Sequence, residues 1–166
     1  FASRLEFSPT IIPARIPWLP GGALRADSQG NLHAIRANGS TLTYSFSADE
    51  GRTWGSQDIT LPPGNTVRLF DMKTNAAIGI TAVALLANDS AAGVDRNLVY
   101  KVNHPFGPDQ SITRYELGKG DIAFWGNFVT TAPRFDFASV AILPDGKLVT
   151  SFGDSEHPRP AIAVER

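Results

Sequence analysis

Short runs that alternate apolar and polar residues, cut by Gly, Pro, Asn and Asp, fill the chain and predict strands; no long helical period is present. Ala23-Leu24-Arg25-Ala26 and Leu32-His33-Ala34-Ile35 flank a Gly30-Asn31 turn, Thr41 to Phe46 follows as a third strand, and Gln57 to Leu61 is a fourth. A second set reads as Val67 to Phe70, Ala77 to Ala87, Asn97 to Val102 and Ile112 to Leu117, with Ala76 to Ala87 apolar enough to be a buried strand pair. Leu98-Val99-Tyr100-Lys101 corresponds in it to Leu42-Thr43-Tyr44-Ser45 of the first. A third set runs from Phe135 through Phe137 to Ile142, turns at Pro144-Asp145-Gly146-Lys147, and continues as Leu148 to Phe152 and Ala161 to Val164. Asp145-Gly146 answers Gly30-Asn31, both leading into a strand that opens with Leu. Before all of this, Pro9, Pro13, Pro17 and Pro20 break the opening segment, in which Ser3 to Phe7 is a candidate edge strand.

Between the third and fourth strands lies Ser47-Ala48-Asp49-Glu50-Gly51-Arg52-Thr53-Trp54. The Asp49 carboxylate is placed to accept backbone N–H bonds from its own turn, and Gly51 to supply a positive φ. Trp54 is expected to fold under as a largely buried plug with its indole N–H on a nearby carbonyl. Ser47, Asp49, Gly51, Thr53 and Trp54 meet the five fixed positions of an Asp box, and the octapeptide resembles the BNR repeats of sialidase-type β-propellers. The resemblance implies an all-β fold of about three four-stranded antiparallel blade-like units, approximately 1–63, 64–120 and 121–166, in a single domain. Four strands in about 40 residues is also the spacing of a blade. Three units do not close a ring. The chain, which opens at Phe1 and whose stretch Arg134 to Glu165 resembles a closing blade, is therefore expected to be a fragment or processed portion, or to be completed by another polypeptide.

Arg15-Ile16-Pro17 resembles the Arg-Ile-Pro motif of sialidases, whose arginine clamps a substrate carboxylate, and Gly30 to Arg36 resembles the strand and arginine that follow it. Arg15, Arg36 and Trp18 are accordingly the candidate ligand-binding residues. The pattern then departs from the family. Ala37-Asn38-Gly39-Ser40 carries no acid/base carboxylate, and Tyr115-Glu116, adjacent on a strand, point to opposite faces. The resemblance thus implies a structural Asp box with no catalytic residues, and the enzyme alternative is a fragment of a sialidase-like exo-glycoside hydrolase using Arg15.

The remaining composition narrows the classes. The 166 residues are 42% hydrophobic, with 15 Gly and 12 Pro, as befits a turn-rich globular chain. Fifteen basic against 16 acidic residues give a net charge of −1, which argues against nucleic-acid binding. No apolar run is long enough to span a bilayer. The chain has no cysteine, which removes disulfides and thiolate metal sites. His33, His104 and His157 lack metal-ligand spacing and read as ordinary exposed strand or loop histidines; no cofactor is expected. Calcium is conceivable at Asp89 with Asp95, or at Asp154 with Glu156. Trp18, Trp125 and Tyr115 are candidates for an aromatic platform for sugars, and Asn38 and Asn88 open glycosylation sequons. The reading is an exported extracellular or cell-surface module for binding or structural assembly. Its partner is another chain or copies of itself at free sheet edges, with carbohydrate as a further partner.

Overall fold

A computed structural model of the protein describes residues 22–105, 108–117, 124–127, 131–132, 137–153 and 161–166. In chain order the strands are β1 (Ala23–Ala26), β2 (Leu32–Asn38), β3 (Thr41–Ser47), β4 (Gly55–Thr60), β5 (Asn65–Asn75), β6 (Ile80–Asp89), β7 (Val94–Asn103), β8 (Ser111–Glu116), β9 (Phe124–Asn127), β10 (Thr131–Ala132), β11 (Phe137–Ile142), β12 (Leu148–Gly153) and β13 (Ala161–Glu165). All described pairings are antiparallel and form three sheets. The first is the meander β1-β2-β3-β4. The second is β5-β6-β7-β8, with β10 continuing along the β7 edge beyond β8. The third is β11-β12-β13, and β9, which precedes it in the chain, pairs on the far side of β13.

Local chemistry fixes the turns. The Asp27 carboxylate accepts from Gln29 N and Asn31 N at 2.8 and 3.0 Å and so folds the β1–β2 connection back on itself. The same pair of backbone bonds closes this turn and the β11–β12 turn: Asp27 N to Asn31 O and Gly30 N to Asp27 O in one, Leu143 N to Lys147 O and Gly146 N to Leu143 O in the other. These two turns are structural counterparts, each joining the first two strands of its sheet. The strand β5 is longer than its alternation indicates, because a bulge between Val67 and Leu69 shifts the register at Arg68 and the pairing with β6 then runs on to Asn75. The short strands β9 and β10 are not among the strands expected from the sequence.

The sheets stack with the second in the middle, and β6 is the strand on which both cores meet. Its Val83, Leu85 and Ala87 pack with Ile35, Leu42, Tyr44, Met72, Leu98 and Tyr100 on the side of the first sheet. Ala82, Ala84 and Leu86 pack with Val99, Val140, Leu148, Phe152 and Ala163 on the side of the third. A strand covered on both faces has no polar alternation to show, which is why the sequence reads as one unbroken apolar run. The expected strand pair over Ala76 to Ala87 is therefore corrected to one strand: Ala76–Ile78 is a single 3-10 turn, ended by Gly79.

The correspondence between Leu42-Thr43-Tyr44 and Leu98-Val99-Tyr100 is also corrected. Both segments lie on the third strand of their sheets, but Tyr44 and Tyr100 point into the same core from opposite sides. The two strands match in position and present opposite faces, so the sequence match is one residue out of step with any rotation that would superpose the sheets.

The first strands of the sheets lie side by side, β5 between β1 and β11. Asp71 on β5 accepts from Ser139 Oγ and Val140 N of β11 at 3.1 and 3.2 Å. At the other end of the third sheet, Glu165 accepts from Lys101 Nζ at 2.9 Å, Tyr115 OH at 2.8 Å and Leu148 N at 3.0 Å, tying β13 to the second sheet. The two outward faces of the stack differ. The first sheet turns out Thr43, which donates to Asp58, and Ser45, bonded to Ser56. The third turns out Phe137 and Ile162, 40% and 48% exposed, on the face shared by Ala141, Val149 and Val164 and also by Ser139 and Ser151. Among the described residues, the outer edge of β4 has no strand partner. No described helix is long and apolar enough to cross a membrane.

Candidate functional site

In the 47–54 turn almost every polar group is used internally. Ser47 Oγ accepts from Gly51 N at 2.8 Å and donates to Asp49 Oδ1 at 2.8 Å. Asp49 in turn accepts from Thr53 N at 2.8 Å and Thr53 Oγ1 at 2.6 Å, so its carboxylate faces its own turn. The Thr53 hydroxyl, then the Thr53 N–H and the Ser47 hydroxyl, hold that carboxyl down at about 2. Gly51 sits at φ +88°, where a side chain would be strained and a Cβ would also lie 3.3 Å from Leu32 Cδ1. Trp54 Nε1 donates to Gly51 O at 3.0 Å. The ring is largely though not fully buried: it lies beside the Gly51 peptide and is not part of the inter-sheet core. The Ser47, Asp49 and Thr53 side chains are thus committed to the turn itself.

The other sequence candidates are scattered. Arg15 and Trp18 lie outside the described residues, as do Asp154, Glu156 and His157 and the side chain of Trp125. Arg36 is on the outward face of the first sheet, opposite Thr43 in register, with its Nε buried and without a hydrogen-bond partner. Asn38 is exposed at the β2–β3 hairpin, whereas Asn88 is inside β6 and donates to Asp95 Oδ1 at 3.2 Å. At the calcium candidates, Asp89 accepts from Ala91 N, Ala92 N and Arg96 Nε, and Asp95 is paired with Arg68. These carboxylates already have their counter-charges. Among the described residues, no group of three or more His, Asp or Glu is placed to hold a metal ion. Tyr115 is not a free platform either, since it packs edge-on against Phe124 at 5.1 Å and donates to Glu165.

A cluster that the sequence reading passed over lies where the first and second sheets meet. His33, read as an ordinary exposed histidine, is 1% exposed. Strand alternation puts it on the inward face with Ile35 and Ala37, and that shared parity was the available signal. Its Nε2 is 3.2 Å from Asp27 Oδ2 and its Nδ1 is 2.7 Å from Tyr44 OH. Thr81 Oγ1 lies 3.3 Å from Nδ1 and 3.2 Å from Thr74 Oγ1, so the chain of polar groups passes from the β1–β2 turn into the second sheet.

The protons follow from the partners. Burial pushes the Asp27 carboxyl up, but bonds from the Asn31 side chain, His33 and the Gln29 and Asn31 backbone together hold it below its ordinary value, so it is ionised. Burial drives His33 down, against the bond and charge of Asp27, and the net direction is down, so the ring is neutral. Burial raises Tyr44 to about 12, keeping it a phenol donor. Nε2–H then donates to Asp27 and Nδ1 accepts from Tyr44 OH. The strong groups are matched to one another, so the network pins two sheets together.

Beside it opens a cleft of about 240 Å³. The β1–β2 turn supplies Gln29 and Asn31 to its rim, the end of β5 supplies Thr74 and Asn75, and His104 and Pro105 follow β7. No protein-family model, curated protein or solved structure matches the chain.

Proposed function

We propose that the chain is an exported Asp-box, propeller-like module that acts in binding or structural assembly, completed by another chain or by copies of itself, with no catalytic site of its own. The observation that carries this reading is the apolar outward face of the third sheet, where Phe137 and Ile162 remain substantially exposed although every equivalent face inside the stack is covered. Apolar residues of this size on a sheet face are stabilised by a second packed layer. The unpaired edge of β4 offers a further surface for strand addition. The Asp-box assignment is supported by the bonding within Ser47 to Trp54, and export by the exposed sequon at Asn38.

Static light scattering after size-exclusion chromatography tests the assembly. The expected molar mass is at least twice that of the 17.8 kDa chain, falling to that of one chain in Phe137→Asp with Ile162→Lys. A monodisperse monomer for the unaltered chain, at every concentration and with no captured partner, sinks the proposal.

A further inference from the structure

The cleft beside the His33 network is outside the assembly surfaces, and its lining defines a ligand by exclusion. Its one carboxylate among the described residues, Asp27, already accepts from two backbone amides, from Asn31 Nδ2 and from His33 Nε2. His33 is neutral, and among the described residues no Lys or Arg lines the space. An anion entering here would shed hydration and face the Asp27 charge, which is costly, and a cation would meet a carboxylate whose lone pairs are already taken by four donors. What the rim does present is a set of hydrogen-bonding groups: the Gln29 and Asn75 amides, the Thr74 hydroxyl and the His104 imidazole. Ala76, Ile80 and Pro105 add an apolar part to the lining.

His104 is held in place by the backbone. It is one of two non-glycine residues at positive φ, at +49°, among the described residues, and its N–H donates to Gly79 O at 2.7 Å. Gly79 is itself left-handed, at φ +63°, and a Cβ there would come within 3.1 Å of His104 Nδ1. The absence of a side chain at 79 is therefore what lets the imidazole lie against that turn and line the cleft. A bulkier residue would push the ring away. An exposed histidine kept in a sparsely populated conformation beside a polar cleft is a mark of a contact residue.

We propose that this cleft binds a single neutral, hydroxyl-rich ring, a monosaccharide unit, with the ring's C–H face on Ile80 and Pro105 and its hydroxyls on Gln29, Thr74, Asn75 and His104. At about 240 Å³ the cleft is below the roughly 300–1,000 Å³ of pockets for drug-sized ligands, which sets the limit at one ring. With so few contacts, affinity falls in the millimolar range, a Kd of about 1–10 mM.

Amide-resolved NMR titration of the full chain with methyl glucoside, methyl galactoside, methyl mannoside and N-acetylglucosamine, each to about 50 mM, tests this. At least one sugar should give saturable shifts centred on Gln29, Asn31, Asn75 and His104. His104→Gly, which relieves the positive φ and so keeps the fold, should weaken that sugar about tenfold with an unchanged thermal midpoint, and N-acetylneuraminic acid, which is anionic, should bind more weakly than the best neutral sugar. The proposal is overturned if no neutral sugar shifts these amides, if His104→Gly binds as well as the parent, or if the anionic sugar binds best. Molar mass decides the assembly reading and the titration decides this one, so each fails separately.

Discussion

Removing one oxygen from Tyr44 isolates what the inter-sheet network contributes. In Tyr44→Phe the ring stays in the core beside Phe46, 5.7 Å away, and no space larger than a hydroxyl opens. The loss is local: His33 Nδ1, on a residue 1% exposed, no longer has its 2.7 Å donor. A buried acceptor left without a partner costs about 1–3 kcal/mol. Thr81 Oγ1 lies 3.3 Å from the same nitrogen and can turn its proton to it, so the lower part of that range applies, about 1–2 kcal/mol. For a chain of this size that is a fall in Tm of roughly 2–8 °C. Urea unfolding at pH 7, followed by tryptophan fluorescence, should show a lower midpoint with the same slope. The substitute donor also makes the effect non-additive. Thr81→Val alone should cost less than Tyr44→Phe, and the double variant should exceed the sum of the two by more than about 0.5 kcal/mol. A Tyr44→Phe midpoint within about 0.5 kcal/mol of the parent, or strict additivity with Thr81→Val, would refute the account.

Two further outcomes follow from the same structure. Because the folded His33 titrates below its ordinary 6.5, the unfolded chain takes up the proton first as pH falls; stability is complete above 6.5 and declines from there down to the folded pKa. Urea midpoints between pH 8 and 5 should show this slope and His33→Gln should flatten it; a parent curve that is already flat over that window would remove the neutral-histidine assignment. Leu86→Ala, on the twice-covered β6, should cost about 2–5 kcal/mol in the same denaturation assay, and a loss under about 1 kcal/mol would mean that this strand is not the shared wall of two cores.

The alternation that marked β2, β3, β7 and β12 was legible because each of these strands keeps polar or small residues at intervals and sits between recognisable turns. Burial on both faces erased that signal from β6, and the run was divided in two when it is one strand. The match of Leu42-Thr43-Tyr44 with Leu98-Val99-Tyr100 failed for a different reason: like sequences on like strands say nothing of which face is turned toward which neighbour. At the cleft the difficulty was distance along the chain. Asp27, His33, Tyr44, Thr74 and Thr81 come from three hairpins, and no local motif joins them, although the parity of His33 with Ile35 was readable. Asp89 and Asp95 suggested calcium because acidic residues stand out in a sequence, while their partners Arg96 and Arg68 do not announce a pairing that only the register of β5, β6 and β7 brings about.

The position of β9 bears on the order in which the chain can be put together. Its partner β13 is synthesised roughly 40 residues later, so at about 5–20 residues per second β9 waits on the order of 2–8 s for the one strand it pairs with among the described residues. During that interval β11 and β12 can pair as a local hairpin, but the Lys101 ammonium and the Tyr115 hydroxyl have no Glu165 to meet. The third sheet is thus sealed last and from its far edge, by a long-range pairing of the slow kind. A translating ribosome would hold the first two sheets folded well before the third can close over them.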